Sequence, residues 1–258
     1  MTLPTDSSTA NSTVDPVPAR VIFITGANKG LGLEAARQLG RLGHTVLLGA
    51  RDAAKGEVAA AALRAEGLDA HALVHDVGSD ALTADVAAWI EARYGRLDTL
   101  VNNAGVAIEG FGTLTTAVPL EVWPRTFEAN VFGVVRTTLA LLPLLRRSAA
   151  GRIVNLSSIL GSQALHADPA SPIYHFKAPA YDASKAALNS LTIHLAYELR
   201  DTPIKVNAAH PGWVKTELGG DGAPMELPEG AQTTVALATL PADGPTGAFL
   251  HLGQPLPW

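Results

Sequence analysis

The sequence has no cysteine, which excludes disulfide bonds and thiolate chemistry and leaves the redox compartment unreadable from cysteine usage. Charge is sparse: 17% of residues are charged, the net charge is −5, and no basic block stands out. A nucleic-acid partner is therefore not expected. No apolar run reads as long enough to cross a bilayer, so no membrane partner is expected either. The histidines (His44, His71, His75, His166, His175, His194, His210 and His251) are scattered, without the paired spacing of a zinc site, and no metal is expected.

What is present is a core. At 258 residues and 47% hydrophobic, the chain can form one large α/β domain or two small ones. Residues 1–19 are rich in Ser, Thr, Pro and Asp, without an apolar segment after a basic start. They read as a disordered leader rather than a secretory signal, and a cytoplasmic location is expected.

From Arg20 onward strand and helix patterns alternate. Strands are expected at residues 21–24, 45–48, 70–75, 97–101, 152–156, 204–208 and 247–251. Leu31, Ala35, Leu39 and Leu42 recur at helical spacing up to Gly43. Further helices are expected from Asp52 to Gly67, from Ser79 or Asp80 to Gly95, over residues 120–147, from Tyr181 toward Arg200, and near residues 230–240. No internal repeat appears. This rhythm predicts an α/β chain in which residues 20–258 form a single Rossmann-fold domain, a doubly wound parallel sheet of about seven strands with helices on both faces.

Two stretches carry chemistry. In Thr25-Gly26-Ala27-Asn28-Lys29-Gly30-Leu31-Gly32 a strand gives way to a helix through three glycines. Gly26 permits the tight turn, Gly30 lets backbone approach a pyrophosphate, Gly32 allows close helix–strand packing, and the helix N-terminus attracts the anion. In Tyr181-Asp182-Ala183-Ser184-Lys185 a helix places Lys185 one turn from Tyr181. The ammonium is expected to pull the phenol pKa down from its usual ~10 toward the working range of an acid–base catalyst.

These stretches, with Asp76-Val77, Asn103-Ala104-Gly105, Asn130, Ser158 and Pro211-Gly212, give the chain a resemblance to the short-chain dehydrogenases/reductases over residues 20–258. The wording Gly-Ala-Asn-Lys-Gly, Pro-Gly-Trp-Val-Lys-Thr and the Pro-Leu-Pro-Trp end most resemble the carbonyl-reductase branch, which reduces ketones and aldehydes with NADPH. The resemblance implies that Tyr181 protonates a substrate carbonyl oxygen. Lys185 lowers its pKa and binds the nicotinamide ribose. Ser158 holds the carbonyl, with Ser157 as the alternative. Asn130 holds a water that links Lys185 to solvent, or else is a core amide. Asp76 and Val77 meet the adenine. Asn103, Ala104 and Gly105 wall the adenine ribose, Asn103 alternatively serving to stabilise the sheet. Pro211, Gly212, Val214 and Thr216 touch the nicotinamide carboxamide.

Cofactor preference is argued from charge. The second strand ends Gly49-Ala50-Arg51, without the carboxylate that binds an NAD ribose, and Lys29 is expected to face the same pocket. Two cations favour the 2′-phosphate of NADPH; the alternative is a surface Arg51 paired with Asp52. The expected activity is reduction of a small-molecule carbonyl by NADPH. The rivals are oxidation of a secondary alcohol and a non-catalytic NADP(H) sensor.

The segment between Ser158 and Tyr181, about residues 162–180, is longer than usual for the family, so monomer and homo-oligomer both stay open. Ile173, Tyr174 and Phe176 either roof the substrate pocket with Phe111, Trp213 and Met225 or simply pack the insertion down. Tyr174 precedes Lys177 by three and lacks the catalytic spacing. A substrate loop is expected over about residues 213–229, with residues 219–229 as a mobile lid.

Overall fold

The computed structural model describes residues 19–258; residues 1–18 of the expected leader lie outside the described residues. Val21–Ile24 (β1) is buried along its whole length, as are Thr99–Asn102 (β4) and most of Thr45–Ala50 (β2), Arg152–Leu156 (β5) and Lys205–Ala209 (β6). Strands covered on both faces carry apolar residues at successive rather than alternate positions, and buried polar residues among them are paired, as Asn102 is with Asn155 and Thr138. The two faces separate cleanly. Phe23, Leu47, Leu100, Ile153 and Val206 point to one layer with Ile90, Leu141 and Leu195. Ile22, Ile24, Val46, Leu48, Val101 and Val154 point to the other with Leu39, Leu63 and Leu237.

With Ala70–Val74 (β3), Phe249–His251 (β7) and Gln254–Pro255 (β8), the sheet order is β3-β2-β1-β4-β5-β6-β7-β8, parallel except for the last pair. The expected Rossmann architecture is the one found. Among the described residues it has eight strands rather than about seven, because a two-residue turn at Leu252 and Gly253, both at positive φ, folds the chain back on β7. That return stacks Trp258 on Phe249 and lets its carbonyl accept from Ala164 N–H at 3.0 Å. The order reverses between β1 and β4, and ligands of such sheets bind at the carboxyl ends of the strands there.

The first three helices start and stop where the sequence suggested. Gly30–Arg41 (α1) ends before Gly43, at φ 85. Asp52 caps Ala53–Ala65 (α2) by accepting from Lys55 N–H. Ser79 caps Asp80–Tyr94 (α3), which ends on the left-handed Gly95.

The single helix expected over residues 120–147 is instead Val122–Phe127 (α4), a π-helical turn at Glu128–Phe132, and Gly133–Leu145 (α5). The extra residue of the wide turn lets the buried Asn130 reach sideways to Val106 and Ser184, and Gly133, lacking a Cβ, lies against Val77. A further correction concerns its composition. Val122–Leu145 is long and apolar enough to cross a membrane, contrary to the sequence expectation. It packs against α3 and β4 with half of its apolar window buried, as a core helix does.

The insertion contributes Gln163–Ala167 (α6), and Pro179–Glu198 (α7) carries Tyr181 and Lys185. Leu227–Gly230 (α8) and Gln232–Ala238 (α9) replace the one helix expected near residues 230–240.

Candidate active site

The glycine loop is laced to the end of β4. Thr25 Oγ1 accepts from the N–H groups of Asn103 and Ala104 at 3.0 and 2.9 Å. The Asn103 amide donates to the carbonyls of Thr25 and Gly26 at 2.8 and 3.1 Å, so this side chain is spent on holding the loop. Gly26 has φ 63, and a Cβ there would press on Ala104 at 3.1 Å; one on Gly32 would meet the Asn103 amide at 2.5 Å. Gly30 differs. At φ 56 it faces open space, with no atom within 4 Å of where a Cβ would stand. The α1 N-cap, Lys29, makes no side-chain capping bond, so the first-turn N–H groups and the helix dipole are left for an anion. Open backbone at a helix start, at the strand-order reversal, fits the pyrophosphate of a dinucleotide.

At the end of β2, Arg51 is exposed. Asp52 does not pair with it, being used as the α2 cap. Lys29 does not simply face the Arg51 pocket as expected: its ammonium pairs with Glu217 from the substrate loop. Lys55 adds to the positive field on that carboxylate, behind the larger effect of the Lys29 contact. Neither Glu217 nor Lys55 stood out in the sequence. Asp76 accepts from Gly78 N–H at 2.9 Å, and Gly105 abuts the Asn130 amide and the Lys185 ammonium.

The remaining groups converge beside β5. Ser157 donates to Asn189 Oδ1 at 2.6 Å and is buried. Ser158 instead stands near enough to the Tyr181 hydroxyl to favour its ionised form, while its Oγ accepts from Leu160 N–H at 3.2 Å. The expected depression of the Tyr181 pKa is corrected here. Burial pushes the phenol up to about 12, the nearby Ser158 hydroxyl pulls it back in part, and the charges of Asp182 and Glu109 add to the rise. Lys185 is not close enough to reverse this. Its Nζ lies 5.6 Å from the Tyr181 ring centre and donates to the Leu156 carbonyl at 2.7 Å, and burial lowers its pKa to about 8. Asn130 spends both amide protons on Val106 O and Ser184 Oγ and takes Val106 N–H on Oδ1. Any water it holds must therefore use its backbone carbonyl or the second lone pair of Oδ1.

Above Tyr181 runs a row of aromatic rings. Phe111 meets Tyr181 edge-on at 6.4 Å, Phe176 meets Phe111 at 5.3 Å, and Trp213 meets Phe176 at 6.3 Å. Ile173 lies beneath, buried with Leu160, Ala178 and Tyr181. Tyr174 is not in the row; it packs on His175 at 4.9 Å and under the Lys177 ammonium. Met225 lies against Gly212, and its backbone bridges to Val214 and accepts from Lys215 N–H. The 213–229 segment is tied further by Trp213 Nε1 donating to Gly219 O and by Thr216 Oγ1 accepting from Gly219 N–H. Pro211 and Gly212 follow β6 after His210.

Two groups near the catalytic helix escaped the sequence reading. The buried His210 accepts from Ile159 N–H at 3.2 Å, tying the Ser158 turn to the end of β6. Glu109 accepts from the backbone N–H of Tyr181 at 2.6 Å. Sequence separation hid both.

The sequence pattern of the short chain dehydrogenase family matches residues 20–226. Carbonyl reductase (NADPH) 1 of Macaca fascicularis is 34% identical, over 90% of this chain and 95% of its own. Among solved structures, the carbonyl reductase Sniffer of D. melanogaster superposes with a TM-score of 0.80 at 30% identity, covering 93% of this chain and all of that one. The NADPH-bound carbonyl reductase from chicken fatty liver reaches 0.82 at 27% identity, covering 94% of this chain and all of that one. Matched by the family pattern over residues 20–226 and by carbonyl reductases over about nine-tenths of its length, the chain belongs to the short-chain dehydrogenase/reductase family and stands with its carbonyl reductases.

Proposed function

We propose that this oxidoreductase reduces ketones and aldehydes to alcohols with NADPH, Tyr181 giving the proton. The observation that carries this is the Tyr181 phenol: held neutral by burial, near Ser158, and one helical turn from Lys185, whose ammonium abuts Gly105 at the end of the sheet. A phenol to be used as a donor has to keep its proton until the carbonyl oxygen becomes basic, which a raised pKa ensures.

Bound NADPH supplies the hydride that adds to the carbonyl carbon. Ser158 donates a hydrogen bond to the carbonyl oxygen and fixes its distance from the phenol. As the C=O π bond opens, Tyr181 transfers its proton to that oxygen, and the resulting phenolate is stabilised by the hydroxyl of Ser158 and the charge of Lys185. Lys185, anchored on Leu156 O, keeps two protons for ribose hydroxyls. Asn130 holds the 106 turn in place. Gly26, Asn28, Gly30, Leu31 and Gly32 cradle the pyrophosphate. Asp76, Val77, Ala104 and Gly105 border the adenosine, and Pro211, Gly212, Val214 and Thr216 border the carboxamide. Arg51 and Lys29 meet the 2′-phosphate, Lys29 on release from Glu217. Phe111, Phe176 and Trp213 offer an apolar, aromatic wall to the carbonyl substituent, with Ile173 and Met225 behind it.

The experiment is NADPH and NADH consumption with a reactive aryl ketone, run on the wild type and on Tyr181→Phe. Ketone-dependent loss of NADPH, slower with NADH and reduced at least about 1,000-fold in the variant, is expected. Binding of NADPH without turnover on a panel of aryl and alkyl ketones would leave a cofactor-binding protein instead of a reductase.

A further inference from the structure

Helix α7 starts without a cap of its own. Its N-cap residue, Ala178, has no side-chain acceptor, and Pro179 offers no N–H. The Tyr181 N–H, which an N-cap Ser or Asp normally takes, is instead held at 2.6 Å by Glu109 Oε1, 72 residues away. Asp182 closes the turn from within by accepting from Ala178 N–H at 2.9 Å. Glu109 is only 9% exposed, and its Oε2 has no partner among the described residues. Burying a carboxylate in this way is costly, and the cost is offset where the anion meets a helix N-terminus through a charge-assisted bond.

The placement of the loop gives that bond a purpose. At one end Val106 is clamped by Asn130 through both its N–H and its carbonyl. At the other, Gly112 N–H donates to Lys177 O at 2.7 Å and Phe111 lies edge-on to the Tyr181 ring. Glu109 sits between, on the backbone of the residue whose phenol must meet the substrate oxygen.

We infer that Glu109 is a positioning residue: its carboxylate caps α7 from outside the helix and sets the Tyr181 phenol level with Ser158. The inference rests on the proposed role of Tyr181 as proton donor. Glu109 touches neither the hydroxyl nor the reacting atoms; it positions Tyr181 through the backbone, while its charge adds to the rise of the phenol pKa from a distance.

Three variants separate reach from charge. Glu109→Gln keeps a carbonyl oxygen at the same distance without the charge, Glu109→Asp keeps the charge but withdraws it by a methylene, and Glu109→Ala removes both. Amide exchange over residues 180–182 is measured alongside kcat and KM for NADPH-dependent ketone reduction. In Glu109→Ala, exchange is expected to quicken about tenfold and kcat to fall about 10- to 100-fold, with the KM for NADPH held within about twofold. Glu109→Gln is expected to recover kcat to within about threefold of wild type and to exceed Glu109→Asp.

Wild-type exchange and kcat in Glu109→Ala would overturn the inference, and so would Glu109→Asp matching or surpassing Glu109→Gln. If Glu109→Ala does not fold, the Gln and Asp pair decides alone. Wild-type protein without ketone turnover sinks the proposed function, and the exchange rates then decide the capping role by themselves.

Discussion

Lys185 stands one helical turn beyond Tyr181, yet its ammonium is anchored on Leu156 O, 2.7 Å away, with the Tyr181 ring centre at 5.6 Å. Its charge therefore acts across the site rather than through a direct bond to the phenol. Burial has lowered its pKa to about 8, so it is charged below that pH and loses its charge above it. The kcat/KM for NADPH, which reports the free enzyme, is expected to be level near neutrality and to fall as pH rises through about 8. Lys185→Met is expected to lose about 100-fold at neutral pH and to show no such limb. Initial rates over pH 6 to 10 check both; a wild-type profile level through this range would exclude Lys185 as the titrating group.

Cofactor preference depends on a charge balance at the surface. Arg51 is free of Asp52, while Lys29 is held by Glu217. Glu217→Gln releases Lys29 and is expected to tighten NADPH about two- to fivefold, the range of an exposed ion pair, with NADH unchanged. Arg51→Asp is expected to weaken NADPH at least about tenfold and to favour NADH. Fluorescence titration with each nucleotide measures the change, and equal effects on the two would remove the 2′-phosphate from this pocket.

The aromatic row Tyr181–Phe111–Phe176–Trp213 has Phe176 as its middle link. Phe176→Ala is expected to raise KM for aryl ketones about tenfold while leaving small alkyl ketones within about twofold, as loss of ring contact and apolar area predicts. An unaltered substrate range would mean that these rings only pack the insertion down. Tyr174→Ala, outside the row, serves as the comparison.

Buried imidazoles tie stability to pH. Burial lowers His75 to about 4 and His210 to about 3, so both are neutral when folded and protonate on unfolding below their ordinary 6.5. The unfolded chain then binds more protons, and stability is lost as pH falls from 6.5 toward those values. Asp182, raised to about 7 by burial, has the opposite sign: it holds its proton in the fold, so its ionisation penalty recedes as pH falls from 7. Two histidines outweigh one carboxyl, and urea unfolding is expected to show a net loss on the order of 2 to 4 kcal/mol between pH 6.5 and 4.5. His75→Gln flattens that slope; an unchanged slope would place the titration elsewhere.

Much of the site is local and therefore readable along the chain. Gly26, Gly30 and Gly32 are needed by a single turn, and Tyr181 and Lys185 by a single helical repeat. The resemblance favoured Ser158 over Ser157, and in the fold Asn189 claims Ser157 while Ser158 stands near Tyr181. Tyr174 and Phe176 are two residues apart and equally apolar in context, yet only Phe176 joins the aromatic row; the turns of the insertion decide this, and composition carries no trace of them.

By itself the sequence determined the alternation of strand and helix, the doubly wound sheet and the glycine turn, since each depends on periodicity or on residues close in the chain, and its scattered motifs carried the resemblance to the family. Tertiary structure decided the protonation of Tyr181, the pairing of Lys29 with Glu217, the π-helical turn around Asn130 and the capping of α7 by Glu109. Those depend on burial and on partners 24 to 188 residues apart, where desolvation and contact geometry, rather than spacing, set the energy.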